Sequence, residues 1–210
     1  TGLRMGNEAY DKHNWHKAAE YLGEYIAVIP RDTDVLARYA RAQLNRRPMT
    51  AKYVSQAVNA YRRMLRIDPA HKKAAENLMD IYNYLTGNPY EAELVAVKFL
   101  EHKQDSKINR MLAMSYFKQR KFDQARSIIS GMISEDPSDV ESYAMLAYFT
   151  RQRPEDFNYV PIEIYNKAIQ DNPSSAAAYI CRGEYYLSQN KIDRAAKDLE
   201  TALECGPKKN

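Results

Sequence analysis

The apolar residues of this 210-residue chain recur at helical spacing along most of its length. Met111, Leu112, Met114, Ser115 and Tyr116 carry one short stripe, and Phe122, Ala125, Ile128, Ile129, Met132 and Ile133 carry the next. Steps of three and four residues place each set on one face of a helix. Prolines punctuate the pattern. Pro30, Pro69, Pro137, Pro173 and Pro207 each follow an apolar stripe, at spacings of 39, 68, 36 and 34 residues. A proline cannot continue a helix, and it pushes the residue before it out of the α region. The 68-residue interval holds two periods, with Lys103 in the vacant slot. The chain therefore reads as helix pairs with a period of about 34 residues.

Other positions keep this phase. Ala18, Ala57, Ala125 and Ala195 each lie 12 residues before a closing proline. Gly6, Ala40, Met79, Ala113, Ala147 and Gly183 form the compact slot of the preceding helix. Small residues let two helix backbones approach, and large ones such as Tyr61, Ile129 and Leu199 fill the grooves between pairs. One hairpin cannot bury its apolar face, but stacked hairpins can. The expected units are residues 1–32, 33–71, 72–105, 106–139, 140–175 and 176–209. Three depart from the rule. The third lacks the closing proline, and its Ala92 is one residue out of phase; its first helix should end near Thr86-Gly87-Asn88, with Pro89 opening the second. The second has extra residues around Arg46 to Thr50. The fifth has a shorter excess around Arg151 to Glu155, and Pro161 stands where the packing alanine belongs, so altered helix packing is expected there.

These residues resemble the tetratricopeptide repeat. The last unit carries Tyr179, Gly183, Tyr186, Ala195, Leu199, Ala202 and Pro207 at that family's spacing, and the fourth carries Leu112, Ala113, Tyr116, Phe122, Ala125 and Pro137. The resemblance implies an all-α chain, an α-solenoid in which antiparallel helix pairs form one right-handed superhelix over residues 1–210. It also implies a concave groove lined by the first helices. Transferring the groove phases selects Arg38, Arg41 and Asn45, then Lys73, Asn77, Asp80, Asn83 and Tyr84, then Lys107, Arg110, Met114 and Lys118. Tyr84 and Tyr148 fall outside the large packing slots and are candidates to stack on a ligand. Such a groove is polar and net positive. Arginine donates in a fork to carboxylates, and asparagine pairs with peptide backbone. Some family members clamp a C-terminal carboxylate with two Lys, two Asn and an Arg. Asn77 and Lys107 match that set, whereas Ala37, Arg41 and Met111 depart from it, so a different acidic peptide is expected.

Composition narrows the chemistry. Seven glycines argue against all-β folds and Gly-rich phosphate loops. His13 and His16 have no acidic or cysteine partner at metal spacing, and they read as a solvated pair. Cys181 and Cys205 form no redox or catalytic pattern and read as buried free thiols. No catalytic, cofactor or metal site is expected. The expected function is a non-catalytic protein-interaction scaffold that holds an extended, acidic peptide or a helix. Alternatives are an assembly module or the docking arm of a larger enzyme. The start at Thr1, and a final helix whose Leu199, Ala202 and Leu203 have no successor to cover them, suggest a piece of a longer protein or self-association through that end. A net charge of +4 spread over the chain makes nucleic acid the weaker partner. No apolar run is long enough to span a membrane. The compartment is left open: two cysteines lean towards the cytoplasm, and a periplasmic or membrane-tethered parent fits as well.

Overall fold

The computed structural model describes residues 2–205. The closing proline expected at Pro207 lies outside the described residues. Helices account for most of the described chain, and no strand occurs among the described residues. The order is α1 (Gly2–Asp11), α2 (Trp15–Val28), α3 (Thr33–Asn45), α4 (Ala51–Ile67), α5 (Lys72–Asp80), α6 (Pro89–Leu100), α7 (Ser106–Lys118), α8 (Phe122–Glu135), α9 (Val140–Gln152), α10 (Pro154–Phe157), α11 (Pro161–Asp171), α12 (Ala176–Ser188) and α13 (Ile192–Cys205). One wide π turn, Ile81–Leu85, continues α5.

Local chemistry explains the boundaries. Asn14, Asp32, Thr50, His71 and Ser175 each accept the backbone N–H three residues on, capping α2, α3, α4, α5 and α12. α2, α4, α8 and α11 stop two residues before Pro30, Pro69, Pro137 and Pro173. Pro89 and Pro161 sit at the first positions of α6 and α11, where the missing N–H costs nothing.

The chain divides into two compact units, residues 1–112 and 113–210. In the first, Leu22, Leu36, Met64, Leu78, Met79 and Phe99 are fully buried. Each such side chain contributes about 1.5–3 kcal/mol relative to exposure. Ala18, Ala40 and Ala57 are also fully buried, so helices meet at them with little side chain between. Gly6 marks the closest approach: a Cβ there would lie 2.6 Å from Leu22 Cδ2. Ala92 is fully buried although it is one residue out of phase. The π turn supplies the offset, because its i to i+5 bond, Thr86 N–H to Ile81 C=O at 2.9 Å, inserts one residue per turn. Gly87 then takes the left-handed conformation at φ +63° and lets the chain reverse into Pro89.

In the second unit, Phe149 and Phe157 are buried, and Phe117 stacks on Phe149 with centroids 4.4 Å apart. The excess residues of the fifth pair form α10, whose Phe157 plugs this aromatic core. Asn158 ends it in a left-handed cap. Pro161 does not occupy a packing slot. It starts a shortened α11, and Ile164, Tyr165 and Ala168 make the buried face instead.

Candidate functional site

The first-helix residues of the first unit fall into two chemically different stretches. On α3, Arg38 donates from Nη1 to Asn7 Oδ1 on α1 at 2.7 Å. Arg41 is exposed, and Asn45 Nδ2 donates back to its carbonyl at 2.8 Å. Neither guanidinium has a carboxylate partner among the described residues. Arg41 lies near enough to Tyr61 to act on it: burial pushes that phenol up to about 12, Tyr10 adds to the rise, and Arg41 opposes it.

On α5 the cations are paired. Glu76 is only 5% exposed. Its carboxylate faces Lys107 Nζ at 3.2 Å, Lys73 Nζ at 3.5 Å and Lys72 Nζ at 4.0 Å. Lys72 also meets Asp105 at 2.6 Å, and that hydrogen bond raises its pKa against the opposing effect of burial. Asp105 caps α7 by accepting from Ile108 N–H at 3.1 Å. Burial would raise its carboxyl, but Lys72 and the helix N–H groups hold it below the ordinary range. Asp80, one turn beyond Glu76, is raised by burial; Lys107 and Lys73 oppose the rise, and Glu76 adds to it. Sequence phase alone made Lys73 and Lys107 a positive surface. Their neutralisation depends on Glu76, which was not singled out, and on α7 lying beside α5.

The remaining candidates divide. Asn77 is partly exposed on the same face of α5. Asn83, expected in the groove, is 3% exposed. The π turn is the reason, since its wider pitch takes residue 83 off the 76–80 face and turns it inward. Tyr84, the next residue, faces solvent at 63% exposure. Arg110 is partly buried on α7. In the second unit, Met114 is partly buried against the aromatic core. Tyr148 is 44% exposed, with its ring 6.2 Å from Phe117. Lys118 is exposed.

His13 and His16 are exposed, as expected, whereas the cysteine expectation needs correction. His16 also has partners at the surface: its Nδ1 lies 3.0 Å from Arg46 Nη2 and its Nε2 lies 3.3 Å from the Arg47 carbonyl. Arg46 in turn stacks over Tyr53 at 3.8 Å. His13 takes a left-handed turn conformation and stacks on Trp15. These contacts tie the second pair's extra residues to α2 and α4. Cys181 and Cys205 are free but only partly buried. No group of three His, Cys, Asp or Glu residues among the described residues is placed to hold a metal. No helix among them is long and apolar enough to cross a membrane. Of the three residues expected to lie uncovered on the last helix, Leu203 is 83% exposed, whereas Leu199 is partly buried and Ala202 is buried, because both pack within the α12–α13 pair.

A family model, the tetratricopeptide repeat, matches residues 162–210. Solved structures extend the likeness over the rest. A tetratricopeptide repeat protein from Parabacteroides merdae is 20% identical, with a TM-score of 0.62 over 99% of this chain and 78% of that one. The described residues have the tetratricopeptide-repeat fold, and residues 162–210 match that family's model. The same fold is seen in MamA from Desulfovibrio magneticus, at 14% identity and a TM-score of 0.60 over 82% of this chain and 94% of that one. It is seen again in PilF from Pseudomonas aeruginosa, at 16% identity and 0.56 over 99% and 91%. No curated protein sequence matches this chain. At these identities the structural likeness carries the fold. That fold is of a kind that serves protein–protein interaction, typically without catalysis.

Proposed function

We propose that this chain is a scaffold that takes an extended, acid-bearing peptide along the first-helix face of residues 2–112. The observation that carries the reading is the pair of guanidiniums on α3. Arg38 is held only by a neutral amide and Arg41 by no carboxylate among the described residues. A guanidinium donates through a planar fork that fits a carboxylate with two parallel bonds. Asn77, partly exposed on α5, offers an amide that can both donate to and accept from a peptide backbone. Packed helices hold these groups in place beforehand, which lowers the ordering cost of binding. The reading has a parallel in YrrB, a solved structure described as a tetratricopeptide repeat protein with an unusual peptide-binding site. That protein is 16% identical, with a TM-score of 0.50 over 90% of this chain and 94% of that one.

Selection from a displayed random-peptide library tests the reading. Wild type should enrich peptides with an acidic position, and the double variant Arg38→Glu, Arg41→Glu should retain its helicity and lose them. Enrichment of the same peptides by both proteins would remove α3 from the site.

A further inference from the structure

The stretch formed by α5 and the start of α7 has the residue types of an acid-binding surface, yet it already contains its acid. Glu76 lies in mid-helix and is almost fully buried, so it cannot swing away from its place. The lysines around it are the mobile partners. Lys73 and Lys107 remain 70% and 52% exposed at their side chains, so packing does not trap them. Their ammonium groups bend to Oε2 of Glu76 at 3.5 and 3.2 Å, while Lys72 lies between Oε1 of Glu76 and Asp105. A carboxylate arriving on a peptide would compete for these lysines with one that is covalently held in position and has already lost its water. The incoming group would pay for ordering and desolvation, and Glu76 pays neither at that moment. α3 carries no such internal acid.

We infer that Glu76 is the specificity-determining residue of this face: an internal carboxylate that occupies Lys73 and Lys107 and confines a ligand's acidic contacts to Arg38 and Arg41. This rests on the peptide-binding reading above. It adds that the charge preference changes along the face, from acid-seeking at α3 to nearly neutral at α5 and α7. Beside the paired lysines, Asp80 is exposed and would repel a second acid, and the partly exposed amide of Asn77 suits an uncharged part of the peptide.

Hexaglutamate is a suitable probe, titrated by fluorescence anisotropy into the full chain at low salt. Glu76→Gln preserves the shape of the side chain and releases both lysines. It should bind hexaglutamate roughly fivefold more tightly than wild type, the scale of one or two exposed ion pairs. Adding Lys107→Gln restores the original local charge and should return the affinity to within about twofold of wild type. Absence of a gain in Glu76→Gln, with helicity retained, would overturn the inference. So would a gain that survives in the double variant. A measurement on wild type alone guards against a variant that folds poorly. In side-chain NMR spectra, hexaglutamate should shift the Arg38 and Arg41 signals and leave those of Lys73 and Lys107 in place. Equal shifts at the lysines would overturn the inference. An unchanged affinity in Arg38→Gln, Arg41→Gln would instead count against the peptide reading at α3, and a gain in Glu76→Gln would still stand.

Discussion

The third and last helix pairs reach a similar result by different means. In α12 and α13 the packing is regular. Gly183 lets the helices approach until a Cβ there would be 3.3 Å from Leu199, and Ala195 is fully buried opposite. Charge is handled by one bidentate pair: Arg182 donates from Nε and Nη2 to Asp198 at 2.8 and 2.7 Å, and its Nη1 reaches Asn166. In α5 and α6, Met79 fills the compact slot, a π turn widens the first helix, and Ala92 packs one residue late. Charge there is shared among Glu76, Asp105 and three lysines across two helices. A repeat can thus lose its small residue and its closing proline and still pack, provided one inserted residue restores the phase. The regular pair has its charges fixed by a buried fork. The irregular pair leaves flexible cations at the surface, where they can be recruited or withheld.

The largest test of this comparison is at the two packing alanines. Ala195→Arg and Ala92→Arg should each cost about 4 kcal/mol, since a charged chain would enter a closed helix contact. Urea unfolding followed by circular dichroism measures it. A tolerated Ala92→Arg beside a damaging Ala195→Arg would mean that the out-of-phase alanine is not a true equivalent.

A smaller difference separates the two charge arrangements. Asp198→Asn leaves Arg182 without its bidentate partner and should cost about 3 kcal/mol. Glu76→Gln should cost less than about 1 kcal/mol, because the lysines it releases can return to water. Equal losses in the urea midpoint would show that the α5 cluster is structural, as the Arg182 pair is.

The smallest effects concern glycine. Gly87→Ala meets open space, but it forces a side chain into φ +63° and should cost about 1 kcal/mol. Gly183→Ala should be neutral within about 0.5 kcal/mol, as improved helix propensity offsets the tight contact with Leu199. Thermal melts of the two variants give the ordering directly, and a more damaging Gly183→Ala would make close approach, not backbone conformation, the stricter demand.

Much of the fold was legible along the chain because its signals are local. Apolar residues three and four apart define a helix face, and prolines such as Pro69 and Pro173 end one, whatever lies elsewhere. Pro89 and Gly87 likewise mark the turn between α5 and α6. The rest depends on information that a fixed phase cannot hold. Asn83 was assigned to the ligand face by counting in α-helical steps, and a single π turn moved it inside. His16 is exposed, as its local sequence implies, but its partners, Arg46 and Arg47, lie 30 and 31 residues away, where no local pattern shows them.

The same division runs through the candidate site. Residue type and helical phase were enough to place Arg38, Arg41, Lys73 and Lys107 on first helices, since both are properties of the local sequence. Which of those cations carries a counter-charge was decided only by the tertiary structure. Lys107 and Glu76 are 31 residues apart, and nothing in the spacing of either says that their charged atoms come within 3.2 Å. Coulomb attraction depends on distance in space, and here the packing of α7 beside α5 sets that distance.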